Sequence, residues 1–310
     1  MRYIMGKTVI GVTVVGRDHE GIVAAFTNFV FSNGGNIEKM NQNVISGLFG
    51  MHLEVSFGKK INISELNRQI QELAEKEKMD ASIRHETVSR KNIAVFVTRE
   101  PLCLQTLLDE KRSLAGKICV VVGTEKTLEP VAAKAGVPFV VVDHKVQADA
   151  ESSLLAACKE YNVDLIVLAR YMRILTPSFV WRYPNRIINI HPSLLPAFPG
   201  AFAYAQAYER GAKIVGVTAH YVTENLDQGP IIFQDSFDVD PDSALETIKR
   251  QGQALEAKTL LRAVRMHLAG RLEVRWRKVH LRSRNVDDNK YPMIDMLFGA
   301  TRTSRAHQKQ

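Results

Sequence analysis

The chain has 310 residues, of which 45% are hydrophobic and 24% are charged. This composition is typical of one large or two ordinary folded domains, and it excludes a disordered, collagenous or coiled-coil chain. The net charge is +8, but ten basic and four acidic residues from Arg271 onward account for most of it, so the remaining chain lacks the basic surface typical of nucleic-acid binding.

The first ninety residues alternate short strand and helix patterns. A Val/Ile-rich run at 8–15 predicts a strand, and apolar periodicity from Ile22 to Val30 predicts a helix that ends at paired glycines. Two further strands at 37–44 and 51–57, a helix at 64–78 and a strand at 81–88 follow. This β-α-β-β-α-β order predicts a ferredoxin-like α+β domain over residues 1–88, with a polar linker at 89–92.

From residue 93 the pattern changes to a longer alternation of apolar strands with helices. Strand runs are predicted at 93–98, 118–123, 138–143, 164–169, 186–191 and 213–222. Near-continuous Val, Ile and Leu residues indicate strands covered on both faces, hence a Rossmann-like, mainly parallel sheet over residues 93–282. Such sheets bind ligands at the carboxyl ends of their strands.

Polar side chains occupy one of those carboxyl ends. Asn189 and His191 are two residues apart in a predicted strand, so their side chains share one face. On these two residues alone, a satisfied polar pair that closes the strand is as good an interpretation as a functional one. Asp227 lies in a turn-rich loop and by itself is more typical of a plain turn aspartate.

These residues belong to a longer pattern. Asn-Ile-His-Pro-Ser-Leu-Leu-Pro at 189–196, followed by Asp-Gln-Gly-Pro-Ile-Ile at 227–232, resembles the signature of the folate-dependent formyltransferase superfamily. The resemblance implies that Asn189, His191 and Asp227 are catalytic. It implies a substrate pocket that involves Met172, Arg173, Ile174, Leu175, Ser193, His220 and Thr223.

The first ninety residues resemble an ACT regulatory domain. On this resemblance, Asp18, Gly21, Ile22 and Asn36 would contact a small amino-acid effector where two such domains pair, which implies a homo-oligomer. The alternative interpretation, an assembly platform without a ligand, stays equally open because a fold does not determine its ligand.

An ACT-like domain ahead of a formyltransferase-like domain is the layout of formyltetrahydrofolate deformylases. The resemblance implies hydrolysis of 10-formyltetrahydrofolate to tetrahydrofolate and formate, which balances one-carbon pools and supplies purine synthesis. Phosphoribosylglycinamide formyltransferases carry a glycine-rich loop that holds phosphate through backbone N–H groups. Residues 98–103 contain no glycine, and Pro101 has no N–H, which favours water as the acceptor.

Two departures from the usual deformylase pattern keep alternatives open. Pro192 stands where a second histidine is usual, and residues 200–205 lack the usual basic residue, proline and histidine. One alternative is formyl transfer to a small amine such as phosphoribosylglycinamide. The other is a non-catalytic sensor of folate or an amino acid.

The remaining features favour a cytoplasmic enzyme. Three scattered cysteines fit neither a disulfide framework nor a zinc site, and no metal-binding spacing is present, so neither metal nor organic cofactor is expected. No run of roughly 18 apolar residues predicts a membrane span. We expect a folate substrate and neither membrane nor nucleic-acid partners. Residues 271–281 predict a final edge strand, and the basic tail at 283–310 is expected to be solvated.

Overall fold

The computed structural model describes residues 3–4, 7–58, 60–85, 90–198, 200, 202–240 and 242–281. The predicted basic tail at 283–310 lies outside the described residues. Within those ranges, none of the helices combines the length and the apolar character that a membrane crossing requires.

The first unit is an antiparallel sheet with two helices packed on it. Its elements are β1 (Tyr3–Ile4), β2 (Lys7–Arg17), α1 (Ile22–Ser32), β3 (Gly35–Ile45), β4 (Leu48–Phe57), α2 (Ile63–Lys76) and β5 (Met79–His85). Strand β2 pairs with β4 on one side and β5 on the other, and β3 pairs with β4. The predicted ferredoxin-like, ACT-like α+β order is confirmed, and the short strand β1 is added to it.

Local sequence signals explain these elements. Alternate residues of β2, such as Ile10, Val12 and Val14, are buried against α1 and α2, as expected of a strand with one apolar face. The side chain of Asn62 accepts hydrogen bonds from the first-turn N–H groups of Ser64 and Glu65, which caps the start of α2.

The second unit is an α/β sheet of seven strands. Its elements are β6 (Lys91–Val97), α3 (Leu102–Asp109), β7 (Gly116–Gly123), α4 (Glu129–Lys134), β8 (Phe139–Val141), α5 (Gln147–Glu160), β9 (Leu165–Ala169), α6 (Pro177–Val180), β10 (Ile187–His191), α7 (Ala203–Glu209), β11 (Ile214–Tyr221), β12 (Ile231–Asp238) and α8 (Leu245–Leu268). The strand order is β12-β11-β10-β9-β6-β7-β8, and β6 to β10 are mutually parallel. The predicted mainly parallel sheet is therefore confirmed.

The sheet has an apolar core on each face. Along β6, Val95 and Val97 pack toward α3 and α8, whereas Ala94 and Phe96 pack toward α5 and α6. Burial of such a side chain contributes about 1.5–3 kcal/mol. Strands β7 and β8 are added on one side of β6, and β9 and β10 on the other. The strand order therefore reverses between β6 and β9, and α/β sheets open a crevice for ligands at such a position.

Two boundaries differ from the sequence-based expectation. Strand β6 begins at Lys91, so the end of the predicted 89–92 linker is in fact strand. The reason lies in distant partners: Lys91 and Asn92 pair with Gly116 and Lys117 of β7, and the N–H of Asn92 donates to the Asp164 carboxylate at 2.9 Å. Residues 86–89 lie outside the described residues.

The predicted single edge strand over 271–281 is instead a hairpin. Strands β13 (Leu272–Arg275) and β14 (Lys278–Leu281) pair with each other in a separate sheet. Trp276 and Arg277 form the turn between them with φ angles of 51° and 61°. Two successive positive φ angles are the geometry of a type I′ turn, which matches the twist of the strands that it joins.

Candidate active site

The ends of β10 and β11 bring the polar residues of the signature together. The two strands are antiparallel, with Asn189 opposite His220 and His191 opposite Thr218. Ile188 and Ile190 pack into the core on the α8 side of the sheet. The side chains of Asn189, His191, Thr218 and His220 therefore share the other face.

Asp227 reaches this cluster from the loop between β11 and β12, residues 222–230, which we call the Asp227 loop. The loop is closed by a hydrogen bond of 2.9 Å from the Tyr221 N–H to the Pro230 carbonyl. Asp227 has a φ of 56°, and its Oδ2 lies 3.3 Å from His191 Nδ1. The N–H of Gly200 donates to the same Oδ2 at 3.2 Å. The three predicted catalytic residues thus form one cluster.

Both ring nitrogens of His191 face acceptors. Its Nε2 lies 3.1 Å from the Phe198 carbonyl oxygen, and its Nδ1 faces the carboxylate of Asp227. Because a carbonyl and a carboxylate only accept, a doubly protonated imidazolium satisfies both contacts. The side chains of His191 and Asp227 are 6% and 8% exposed, so water has little access to the contact between them.

His220 is held in the neutral form. Burial is the largest influence on its pKa and lowers it from the usual 6.5. Its Nδ1 lies 2.9 Å from the Tyr221 carbonyl oxygen and must donate to it, so Nε2 carries the lone pair. That lone pair accepts from the Asn189 amide, whose Nδ2 lies 3.3 Å away. The other N–H of this amide is then the hydrogen that can meet a substrate oxygen.

This arrangement makes the site sensitive to acid. Below the lowered pKa of His220, its Nε2 gains a proton and turns into a donor that faces the Asn189 N–H. We expect kcat/KM to hold as the pH falls through 6.5 and to decline only below the pKa of the buried ring. His220→Gln keeps an acceptor without a titrating ring, so its acid limb should move to lower pH. An acid limb at the same pH in both proteins would contradict this role of His220.

The predicted substrate segment follows β9 at the carboxyl edge of the sheet. Met172 and Ile174 are 61% and 67% exposed, and Arg173 is also exposed. The N–H of Met172 donates to Thr98 Oγ1 at 3.0 Å, which ties the segment to the end of β6. Exposed apolar side chains beside a polar cluster are typical of a ligand surface. Leu175 differs, because its side chain packs into the core on the α5 side of the sheet.

The hydroxyl groups of Ser193 and Thr223 hold loops. Ser193 is buried, and its Oγ donates to the Ala197 carbonyl at 2.5 Å. Thr223 Oγ1 donates to the Asn225 carbonyl at 3.3 Å within the Asp227 loop. Their contact with substrate stays a prediction. In the structure, both hydroxyl groups stabilise loops that border the site.

The predicted effector residues lie on the first unit. Asp18 and Gly21 are exposed in the turn between β2 and α1. Gly21 has a φ of 89°, which glycine adopts without steric cost. Asn36 Nδ2 donates to Glu38 Oε1 at 3.1 Å. Ile22 as a whole is only 1% exposed and its side chain belongs to the core, so this side chain does not face the surface where an effector would bind.

The unusual segment at 200–205 leads into α7. Phe202 is 83% exposed with a φ of 63°. The Tyr204 hydroxyl donates to Glu256 Oε1 on α8 at 2.6 Å, and Arg170 Nη1 lies 3.3 Å from the other carboxylate oxygen. Burial raises the pKa of Glu256. Tyr204 thus anchors α7 to the buried carboxyl group of α8.

Sequence reasoning missed several groups of the site. The Phe198 carbonyl and the Gly200 N–H belong to the main chain, and such groups leave no signature in the type of side chain. Glu224 was also missed. It lies three residues before Asp227 and accepts hydrogen bonds from residues that are distant in the chain. Its negative charge, three positions before the predicted catalytic aspartate, was the one available signal.

The chain is similar to known proteins along most of its length. Residues 8–84 match the ACT domain family, and residues 91–264 match the family described as formyl transferase. The formyltetrahydrofolate deformylase of Bacillus subtilis is 40% identical over 83% of this chain and 88% of its own length. The Escherichia coli protein of the same name is 39% identical over 83% and 92%.

Solved structures give the same result. A formyltetrahydrofolate deformylase from Pseudomonas syringae covers 91% of this chain and 96% of its own, with 33% identity and a TM-score of 0.61. A glycinamide ribonucleotide transformylase from Symbiobacterium toebii matches 63% of this chain and 95% of its own, with 36% identity and a TM-score of 0.60. This chain belongs to the formyltetrahydrofolate deformylase family.

Proposed function

We propose that this protein hydrolyses 10-formyltetrahydrofolate to tetrahydrofolate and formate, with Asn189, His191 and Asp227 as its catalytic residues. The observation that carries the proposal is the nearly buried cluster in which His191 faces Asp227 at 3.3 Å and the Asn189 amide is oriented by neutral His220. The relatives from Bacillus subtilis and Escherichia coli are named for this activity. The proposed reaction involves neither a metal ion nor an organic cofactor.

Hydrolysis of a formyl amide passes through a tetrahedral intermediate with a negative oxygen. The Asn189 N–H donates to that oxygen, and one such donor lowers the barrier by about 3–4 kcal/mol. A protonated His191 adds positive charge beside it. Asp227 accepts the proton of the attacking water through Oδ1, since Oδ2 is held by Gly200, and the proton then passes to the leaving nitrogen. A C–O bond forms and the C–N bond breaks.

Water as the acceptor is supported by the segment that follows β6. Arg99 Nε lies 2.8 Å from Glu125 Oε1, so this cation is already paired with a carboxylate. Pro101 offers no N–H at the start of α3. Glu100 adds a negative charge in the same segment. These features disfavour a phosphorylated amine, which needs backbone N–H groups and free cations.

The experiment that tests this function measures formate from the purified protein with 10-formyltetrahydrofolate as the sole organic substrate. We expect one formate for each tetrahydrofolate formed, at a rate that added phosphoribosylglycinamide leaves unchanged. Release that depends on the amine would establish a formyltransferase instead. Folate binding without turnover would establish a sensor.

We also propose that the ACT unit binds a small amino acid through the turn at Asp18 and Gly21, with Asn36 beside it, in a homo-oligomer. The positive φ of Gly21 exposes backbone of this turn at the start of α1. The test is turnover in the presence of single amino acids, with Asp18→Ala as the comparison. An oligomer whose turnover responds to no amino acid would favour the assembly-platform interpretation.

A further inference from the structure

The ACT unit contacts the Asp227 loop directly. Glu224, in this loop, accepts hydrogen bonds from two side chains that lie far from it in sequence. Asn43 Nδ2, on β3 of the ACT unit, lies 3.3 Å from Oε1. Trp181 Nε1, just after α6, lies 3.3 Å from Oε2. One carboxylate therefore joins the regulatory sheet, the catalytic unit and the loop that carries Asp227.

Trp181 is itself in contact with the ACT sheet. A Cβ atom placed on Gly50 of β4 would lie 2.2 Å from Trp181 Cε3 and 2.6 Å from Cδ2. The indole ring therefore packs against the bare backbone of β4, where no larger residue fits. The position of the ring, and of the N–H that it donates to Glu224, therefore depends on where β4 lies.

A second contact reaches the same loop through the hairpin of β13 and β14. Lys39 Nζ, on β3, lies 3.4 Å from Glu273 Oε1 on β13. Arg277, in the turn of that hairpin, donates to the Gln228 carbonyl at 3.3 Å. Gln228 directly follows Asp227. The loop is thus held on both sides of Asp227: Glu224 contacts Asn43 of the first unit, and Gln228 contacts the hairpin whose Glu273 faces Lys39 of the first unit.

We propose that Glu224 is a positioning residue that transmits the position of the ACT sheet to Asp227. The inference rests on the proposed function, because it assumes that Asp227 acts on the substrate. Asp227 has a left-handed backbone conformation. Its Oδ2 lies 3.3 Å from His191 Nδ1 and 3.2 Å from the Gly200 nitrogen. A small displacement of the loop breaks these contacts and lowers turnover without altering the folate surface at 172–174.

The test is a set of variants that remove one contact each. Trp181→Phe keeps a ring against Gly50 and deletes the N–H, Asn43→Ala deletes the other donor, and Glu224→Gln weakens both bonds. We expect kcat for each folate-binding site to fall about three- to tenfold, with KM for the folate within about twofold. The control is Asp80→Asn, which removes the charge from the 2.9 Å interdomain contact to Arg182 outside the loop but keeps an acceptor oxygen there, and it should leave kcat unchanged.

A double-variant cycle in kcat separates a positioning role from simple structural support. Turnover is divided by the amount of bound folate, so unfolded protein does not lower the measured kcat. Combining Trp181→Phe with Glu224→Gln should cost no more than Glu224→Gln alone, because both act through one carboxylate. Equal kcat in Trp181→Phe, Asn43→Ala, Glu224→Gln and the control would overturn the proposal. If Asp227→Asn itself keeps full turnover, the proposed function fails instead.

Discussion

Asn189→Asp is expected to lower the turnover of 10-formyltetrahydrofolate at least about a hundredfold while the protein stays folded. The substitution removes the N–H that donates to the oxyanion and places a second negative charge beside it. It also removes the donor to His220, whose Nε2 lies 3.3 Å from Asn189 Nδ2. The introduced carboxylate and the lone pair of His220 Nε2 would then be two acceptors that face each other in a buried site, which destabilises the site further.

Steady-state turnover and thermal unfolding of both proteins check this prediction. Asn225→Asp is the matched control, because it makes the same change at an exposed position in the Asp227 loop. We expect the control to stay within about twofold of the parent, since surface changes have small effects. Turnover of Asn189→Asp within tenfold of the parent would show that the amide is not the oxyanion donor.

Gly229→Ala is expected to have the largest effect on stability. A Cβ atom at this position would lie 1.6 Å from the Tyr221 carbonyl oxygen and 2.8 Å from its carbon. Both are backbone atoms of β11, and Tyr221 also donates its N–H to Pro230 across the base of the loop. The backbone must move, so we expect the free energy of unfolding to fall by about 3 kcal/mol. Asp227 is displaced with the loop, so turnover should fall as well.

Urea unfolding measures this effect, with Gly58→Ala as the control. A Cβ atom at Gly58, just after β4, would meet nothing within 4 Å. The control should therefore keep or slightly raise the free energy of unfolding. Failure of Gly229→Ala to accumulate as folded protein agrees with the prediction. Equal stability of the two variants would show that the base of the loop adapts.

Apolar patterns predicted most of the fold because burial of a strand or helix face is a local property of sequence. The strand expected over 93–98 is β6 (Lys91–Val97), and the helix expected over 64–78 is α2 (Ile63–Lys76). Helix α8 was not predicted. It buries Gly252, Glu256 and Thr259 among apolar residues, so it lacks the clean apolar stripe of an amphipathic helix.

Positions whose structure depends on distant partners were not predicted from the sequence. The turn at Trp276 and Arg277 uses positive φ angles in residues that rarely adopt them, so one strand was predicted instead of a hairpin. The three residues proposed as catalytic were predicted from their motif, which is a pattern of sequence. The role of His220 as partner of Asn189 follows from the register of β10 and β11. Glu224 meets Asn43 across 181 residues of chain, a contact that no local pattern indicates.

The most direct test of the proposed hydrolase is formate release in the absence of any amine, with Asp227→Asn measured beside the parent protein. We expect the parent to release one formate for each 10-formyltetrahydrofolate consumed. We expect the variant, which keeps the shape of the side chain but loses the base, to lose this release while it still binds folate. Formate release by Asp227→Asn at the parent rate would contradict the catalytic assignment, and release that requires an amine would contradict hydrolysis.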